Sequence, residues 1–571
     1  MKFADLSLFL QKLESTKSRN KITIILADLF SKLEADEIGQ ATYLILGELA
    51  ASYKGVVFNV ADKTMIAAIA KAYQKQINDV FNEYKKTGDI GETAYTYAVK
   101  ANSKDTGLSV TDVYLRFFDI ANDSGQGSIE RKIDKLSMVL SNMDPLSVKY
   151  LARIPVGKLR LGFSEKTIID ALSWMVEGSK EKSKLITKAY EVVPDVGALA
   201  EKIKRFGIKK ATGNLSPIVG IPVMPMLCQR LKSPDEMIEK MGEVSVEPKF
   251  DGLRSIIHYS KPKKVLAVFT RNLKDISFMF PELFEIDKYL SVDEVILDTE
   301  AVGMDEDMLK IADFQTTMQR RRKHDIANVK SKTPISFQVF DVLYADGRNL
   351  MQEPYSVRRE VLKKIIKNGK ILRIDENVIT KDPAVILKLH KKYIEEGLEG
   401  IIVKKLNSKY IPGRTGWNWV KMKEDESAIG KLPDTIDAVI MGFTVGFGKR
   451  VEFGIGQFLA GVLDKGRYKT ITKVGTGLTD EQFKQLAMRL KPLVVKDKPE
   501  VYEVHKDLTP DYWVDPQIIV ELAGDDLTIS PKHTAGYALR FPRLVRFRDD
   551  KSASQVTTVN EIKKLFKLQK N

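Results

Sequence analysis

The sequence predicts a multidomain protein with an all-α N-terminal region, an α+β middle and a C-terminal β-barrel. Three observations carry this. At 571 residues the chain is too long for a single hydrophobic core. Apolar residues recur at helical spacing through the first third, then give way to short alternating runs past the Pro-punctuated stretch Ile221-Pro222-Val223-Met224-Pro225. Near the end, strand-like runs alternate with glycine-rich turns such as Gly446-Phe447-Gly448 and Gly475-Thr476-Gly477. The expected divisions are residues 1–220, 221–423 and 424–571.

Composition narrows the class. Hydrophobic residues make up 43% of the chain, enough for globular cores, and no run is long and apolar enough for a transmembrane helix. Met1-Lys2-Phe3-Ala4-Asp5 lacks the charged-then-apolar layout of a signal peptide, so a cytoplasmic protein is expected. The single cysteine, Cys228, excludes an intramolecular disulfide framework and a four-cysteine zinc site. A formal net charge of +15 with a pI near 9.3 favours a polyanionic partner.

Amphipathic helices are expected over Ala4–Leu13, Ile22–Leu33, Thr64–Tyr84 and Ile129–Leu140, the last starting at Ser128. Asn142-Met143-Asp144-Pro145 breaks the pattern and opens a new helix. Between Tyr150 and Gly162, small residues alternate with Arg153, Lys158 and Arg160. Backbone N–H groups and basic side chains spaced like this can hold a phosphate, and an ordinary helix connection with solvated charges would read the same way.

The middle region is organised around Glu247-Pro248-Lys249-Phe250-Asp251-Gly252-Leu253-Arg254. Strand-like runs flank it, which puts Lys249 on a tight connection, with Pro248 stiffening the entry and Gly252 permitting the exit. Burial or nearby positive charge would lower the amine's pKa and make it a nucleophile. Taken alone, the octapeptide also reads as a charged turn.

Downstream, Val268-Phe269-Thr270-Arg271-Asn272 is a strand with a basic end. Val295 to Gly303 carries Asp298 and Glu300 on one strand face, where a carboxylate pair suits a hard cation or a ribose hydroxyl, or simply caps the strand end. Phe337 to Tyr344 is a strand whose Phe340 would ordinarily be core. Gly397-Leu398-Glu399-Gly400 puts a carboxylate before a buried strand that ends at Lys404 and Lys405, and Trp419 to Lys423 sets Lys421 and Lys423 on one face. Arg320-Arg321-Arg322-Lys323 reads as a basic helix face, on DNA or in solvent.

In this order, the motifs resemble those of covalent nucleotidyltransferases, and the whole chain resembles the ATP-dependent DNA ligases of the archaeal and eukaryotic replicative type. The resemblance implies a helical DNA-binding domain, an α+β nucleotidyltransferase domain with antiparallel sheets, and an OB-fold barrel. It implies that Lys249 attacks the α-phosphorus of ATP, forming AMP–lysine. AMP then passes to the 5′-phosphate of a nick, and the 3′-hydroxyl displaces it, in replication, repair and recombination. By the same resemblance Glu247 selects adenine, Phe340 stacks on it, Glu300 meets the ribose, and Glu300 with Glu399 holds Mg²⁺. Arg254, Arg271, Lys421, Lys423 and, at a less regular spacing, Arg414 would contact phosphates. Arg540 and Arg543, in a cluster of four arginines from Arg540 to Arg548, would orient pyrophosphate. Arg153, Lys158 and Arg160 would grip the DNA backbone.

The resemblance further implies a monomer that encircles nicked duplex. Archaeal members often carry a sliding-clamp docking peptide near residue 100. Here Ala101 to Gly107 lacks the glutamine and paired aromatics of such a peptide, and Phe117-Phe118 reads as helical core, so a sliding clamp is a candidate partner whose docking peptide is not identified. An RNA capping guanylyltransferase, an RNA ligase and a catalytically dead DNA-binding scaffold are the rivals. The large helical region counts against the first two, and the intact set of Lys249, Glu300, Glu399, Lys421 and Lys423 against the third.

Overall fold

The computed structural model describes residues 1–213, 215–231, 233–305, 334–413, 416–423, 434–446 and 453–569. From Phe3 to Ala211 the regular elements are helical, as their apolar spacing requires. The stretch Thr64–Tyr84 forms two helices, Asp62–Ala72 and Ile77–Thr87, not one. The break falls at Gln74, whose φ of 51° no α-helix accommodates. At the expected break near residue 142, Asp144 accepts from the Ser147 N–H at 3.1 Å and Pro145 occupies the first turn, which starts the helix Pro145–Arg153. That helix lies close against Ile90–Lys100 because Gly91 has no side chain: a Cβ there would stand 2.6 Å from the Lys149 carbonyl oxygen. Phe117 is core, edge-on to Phe58 at 5.4 Å. No helix among the described residues is long and apolar enough to cross a membrane.

The middle region holds two sheets. The first has five strands in the order Gln229–Arg230, Trp419–Lys423, Gly400–Lys405, Val244–Lys249, Val378–Thr380. The second runs Val265–Thr270, Leu253–Ser260, Glu294–Gly303, Ile335–Ala345, Arg348–Asn349, with Leu372–Ile374 beside Ile335–Ala345. Pairing is antiparallel apart from two edge pairs, Gln229–Arg230 with Val420–Lys421 and Leu372–Ile374 with Phe337–Val339. Helix Tyr355–Ile365 covers the second sheet and helix Pro383–Glu395 the first. A third apolar cluster, with Met226, Ile256, Ile296, Phe340, Tyr410 and Trp419, draws on both sheets.

Contacts divide the chain into two compact units, Met1–Leu159 with Phe163–Glu424, and Arg160–Gly162 with Asp425–Asn571. Within the second, Ile436–Thr444, Gln457–Asp464 and Arg467–Val474 form an antiparallel meander, and Ile519–Ala523 pairs with both Ile436–Val439 and Arg543–Phe547. The strands enclose an apolar core that includes Ile440, Phe458, Ile471 and Leu522. The expected strand-rich C-terminal domain is there, and among the described residues its ladders form an open sheet. Where a ring would close, Arg467–Val474 meets residues 534–539 through scattered bonds, Thr470 N–H to Thr534 Oγ1 at 2.8 Å and Ala535 N–H to the Thr470 carbonyl at 3.1 Å, and no continuous ladder forms there.

Candidate active site

Lys249 ends the strand Val244–Lys249 of the five-stranded sheet. After Phe250, Asp251 and Gly252, Leu253 begins a strand of the other sheet. The connection predicted from sequence therefore crosses between sheets, and Lys249 stands where they part. Gly252 matters for space: a Cβ there would lie 2.6 Å from the Ala301 carbonyl oxygen. The cleft so formed has a volume of about 780 Å³, and Lys249, Arg254, Arg271, Glu300, Phe340 and Lys421 all line it.

Glu399 faces the lysine. Its Oε2 lies 2.5 Å from Lys249 Nζ and 2.9 Å from Lys423 Nζ, and its N–H donates to the Lys249 carbonyl at 3.0 Å. The next residue, Gly400, takes φ 133°, and a Cβ on it would stand 2.2 Å from the Met422 carbonyl oxygen, so only glycine fits between the lysine strand and the Lys421–Lys423 strand. The expectation of a depressed lysine pKa is corrected here. Burial works to lower it, but Glu399 outweighs burial and holds the Lys249 amine above its ordinary value. Burial also works against the Glu399 charge, yet Lys249 and Lys423 hold that carboxyl below its ordinary value. Lys421 is lowered by burial and by the positive charge of Lys423 and Lys249. Glu300 is pushed up to about 7 by burial, against the pull of Lys249 and Arg254.

Asp298 and Glu300 share a strand face, but they are not a free pair. Asp298 is fully buried and takes both Nε and Nη2 of Arg254, at 3.0 and 2.6 Å, and the Tyr410 hydroxyl at 2.7 Å. Arg254 also donates to the Met226 carbonyl at 2.7 Å. Its guanidinium is thus fixed by protein acceptors and borders the cleft between the Phe340 and Trp419 rings, at 5.5 and 5.8 Å. Glu247 lies behind the cleft, buried, with Lys404 Nζ 2.5 Å from its Oε2. Sequence reasoning missed Lys404, Tyr355, Tyr410 and Asp375. Strand alternation was the available signal for Lys404, which buries fully while Lys405 does not.

The basic residues expected on DNA divide. Arg153 is 1% exposed, its fork on Asp89 at 3.0 and 2.7 Å and its third nitrogen on Glu14 at 3.0 Å. That is the position of a group holding helices together, with no face turned to solvent. Lys158 pairs with Asp62 at 2.7 Å and is half-buried, and Arg160 is exposed with φ 59°. In the second unit Arg543 meets Asp525 at 2.9 Å, and Arg540 lies 3.9 Å from Asp526. Arg414 and the run Arg320–Lys323 lie outside the described residues.

The cleft thus gathers a lysine at the parting of two sheets, carboxylates and a second lysine. Comparison with known proteins narrows this. Residues 225–423 match the model "ATP dependent DNA ligase domain", residues 2–173 "DNA ligase N terminus" and residues 452–551 "ATP dependent DNA ligase C terminal region". The chain is 38% identical to a probable DNA ligase of Dictyoglomus thermophilum, with 100% of this chain and 98% of that protein covered. It is 34% identical to DNA ligase 1 of Methanosarcina mazei, with 99% of each covered. A solved structure titled "Pmar-Lig_Pre." shares the fold, with TM-score 0.55 and 17% identity over 95% of this chain and 99% of that one. The chain belongs to the ATP-dependent DNA ligase family, whose general activity is sealing nicks through an adenylate intermediate.

Proposed function

We propose that Lys249 is the residue that carries AMP in this ligase, and that nicked duplex DNA is its substrate. The observation that carries the reading is the placement of Lys249 Nζ in the cleft, 2.5 Å from Glu399 and beside Lys421. With ATP in the cleft, the amine attacks the α-phosphorus and pyrophosphate leaves. For that the lysine must lose its proton to solvent water, which reaches its 18% exposed side chain. Lys423 already shares Glu399 Oε2, so a shift of that carboxylate toward Lys423 removes the charge that keeps Lys249 protonated. Burial and Lys421 then favour the neutral amine. Lys421 and Arg271 offset charge on the phosphates, Arg254 is held ready by Asp298, and Phe340 offers a ring face to the base.

Glu300 and Glu399 suit a hard cation. No group of three or more Asp, Glu, His or Cys is placed to hold a metal among the described residues, and Mg²⁺ characteristically takes one or two carboxylates and completes its shell with phosphate oxygens and water. Burial disfavours the Glu300 charge, which a cation beside it would restore. Mg²⁺ there would neutralise charge on the transferring phosphoryl group. Arg540 and Arg543 would serve the leaving pyrophosphate, and Lys158 and Arg160 the DNA backbone, without base readout. A monomer acting in the cytoplasm belongs to the same reading, for which a single free cysteine is suited.

The test is incubation with α-labelled ATP, and separately α-labelled GTP, with Mg²⁺, on protein first stripped of bound AMP with pyrophosphate. Peptide mass mapping should place AMP on Lys249. Label from GTP instead would indicate a guanylyltransferase, and AMP on another residue would refute the assignment.

A further inference from the structure

Behind the cleft, Glu247, Lys249, Glu300, Phe340, Asp375 and Ile402 border a small cavity of about 30 Å³. Glu247 is its most constrained polar wall. The Glu247 Oε1 accepts from the Tyr355 hydroxyl and from Ser245 Oγ, the latter at 3.0 Å. Ser245 Oγ in turn accepts from Asn377 Nδ2 at 3.0 Å. Oε2 is buried, and beyond the Lys404 ion pair it has no hydrogen-bond partner. Lys404 cannot swing away: it donates to the Phe340 carbonyl at 3.0 Å, and the rings of Phe340, Tyr355 and Trp419 surround it at 4.7, 4.7 and 4.5 Å. Tyr355 is itself fully buried at the start of helix Tyr355–Ile365. The helix is anchored there by Arg359, bonded to the Asp375 carboxylate and carbonyl, and by Arg358, bonded to Asp341 at 2.7 and 2.8 Å.

We propose that Tyr355, with Ser245, is a positioning residue for base selection: by holding Oε1 it leaves Oε2 of Glu247 as the one acceptor turned to the purine's 6-position. This rests on the reading of the cleft as the ATP site. A carboxylate oxygen so held accepts from the 6-amino group of adenine and repels the 6-oxo group of hypoxanthine or guanine. Without Tyr355, Ser245 alone holds Oε1, and the carboxylate can turn about its last torsion while still paired with Lys404, so the acceptor's direction is less sharply set. No part of the octapeptide around Lys249 reports this, because Tyr355 comes from a helix more than a hundred residues downstream.

The experiment compares Lys249 labelling by ATP and by inosine triphosphate, which carries oxygen at the 6-position, in wild type and Tyr355→Phe. Expected is a KM for ATP raised about tenfold, the scale of one hydrogen bond to a charged acceptor, with preference for ATP over inosine triphosphate reduced by a similar factor. Equal slowing with both nucleotides would overturn the proposal and make Tyr355 a packing residue. A wild type that takes both nucleotides equally would also overturn it. Absence of any label on wild-type Lys249 would instead sink the reading of the cleft. Should Tyr355→Phe fail to fold, Ser245→Ala, which removes the other donor to the same oxygen, must shift the preference in the same direction or the proposal fails.

Discussion

Replacing Arg153 with alanine separates two accounts of a basic residue. In the structure its guanidinium is buried and bonded to Asp89 and Glu14, and Lys149 and Tyr150 also meet Glu14, at 3.1 and 2.8 Å. Removing it takes the two guanidinium bonds from the Asp89 carboxylate, which is 5% exposed. Breaking a buried pair from one side costs about 3–5 kcal/mol. For a cooperative unit the size of the helical region that is a fall of roughly 6–20 °C in Tm. The assay is differential scanning calorimetry of the full chain, together with nick binding at several salt concentrations. The sign with pH also follows. Glu14 is held below its ordinary value of 4.5, burial opposing and Arg153 prevailing. Its contribution is therefore present above about pH 4.5 and lost as the pH falls through the lowered value, so wild type and variant should converge in acid. An unchanged Tm, with the salt dependence of binding shallower by about one phosphate contact, would refute this account and return Arg153 to the DNA.

Lys249→Ala should abolish protein labelling yet bind a nick normally and seal one that is already adenylylated; sealing of an ordinary nick with ATP would exclude Lys249 as the carrier. Arg540→Ala should slow lysine adenylylation more than sealing of an adenylylated nick, and equal losses in the two assays would reject its proposed role with pyrophosphate. Gly400→Ala should cost upward of about 3 kcal/mol, because the added Cβ meets backbone at 2.2 Å, whereas Gly397→Ala, with open space and only φ 83° against it, should cost about 1–2 kcal/mol. Chemical denaturation of the two variants side by side checks this, and comparable midpoints would show that the Gly400 contact relaxes freely.

Local signals made part of the site legible. Lys249, Glu300, Phe340 and Lys421 each sit at a strand position where alternation or an adjoining turn marks them, and all four reach the cleft. The helical character of the N-terminal region was equally plain, although Thr64–Tyr84 hid a break because Gln74 carries no sequence signature of positive φ. Partner choice was not legible. Asp298 and Glu300 look alike as neighbours on one face, and only the fold shows that Arg254, Tyr410 and Met226 engage in a network with the first and not the second. Likewise Arg153, Lys158 and Arg160 form one basic run in sequence, but helix packing at Gly91 turns the first inward onto Asp89 while Arg160 remains exposed.

The same separation explains how the cleft can keep so many charges without collapsing their chemistry. Asp298 fixes Arg254, Asp341 fixes Arg358 and Lys404 fixes Glu247, each as a buried pair whose two members are at most 16% exposed. In each pair the opposite charge sets the direction of the side chain. Lys249, Lys423 and Glu399 form the contrasting case, two cations on one carboxylate oxygen, all three side chains 18–26% exposed. A triad with one anion for two cations is the arrangement that can release a lysine, since Glu399 keeps a partner whichever amine it leaves. Buried pairs cost several kcal/mol to open and hold their geometry, while the shared carboxylate has a second cation already in contact with it. On the reading proposed for Lys249, the fixed pairs orient the cleft and the shared carboxylate governs the proton that Lys249 gives up.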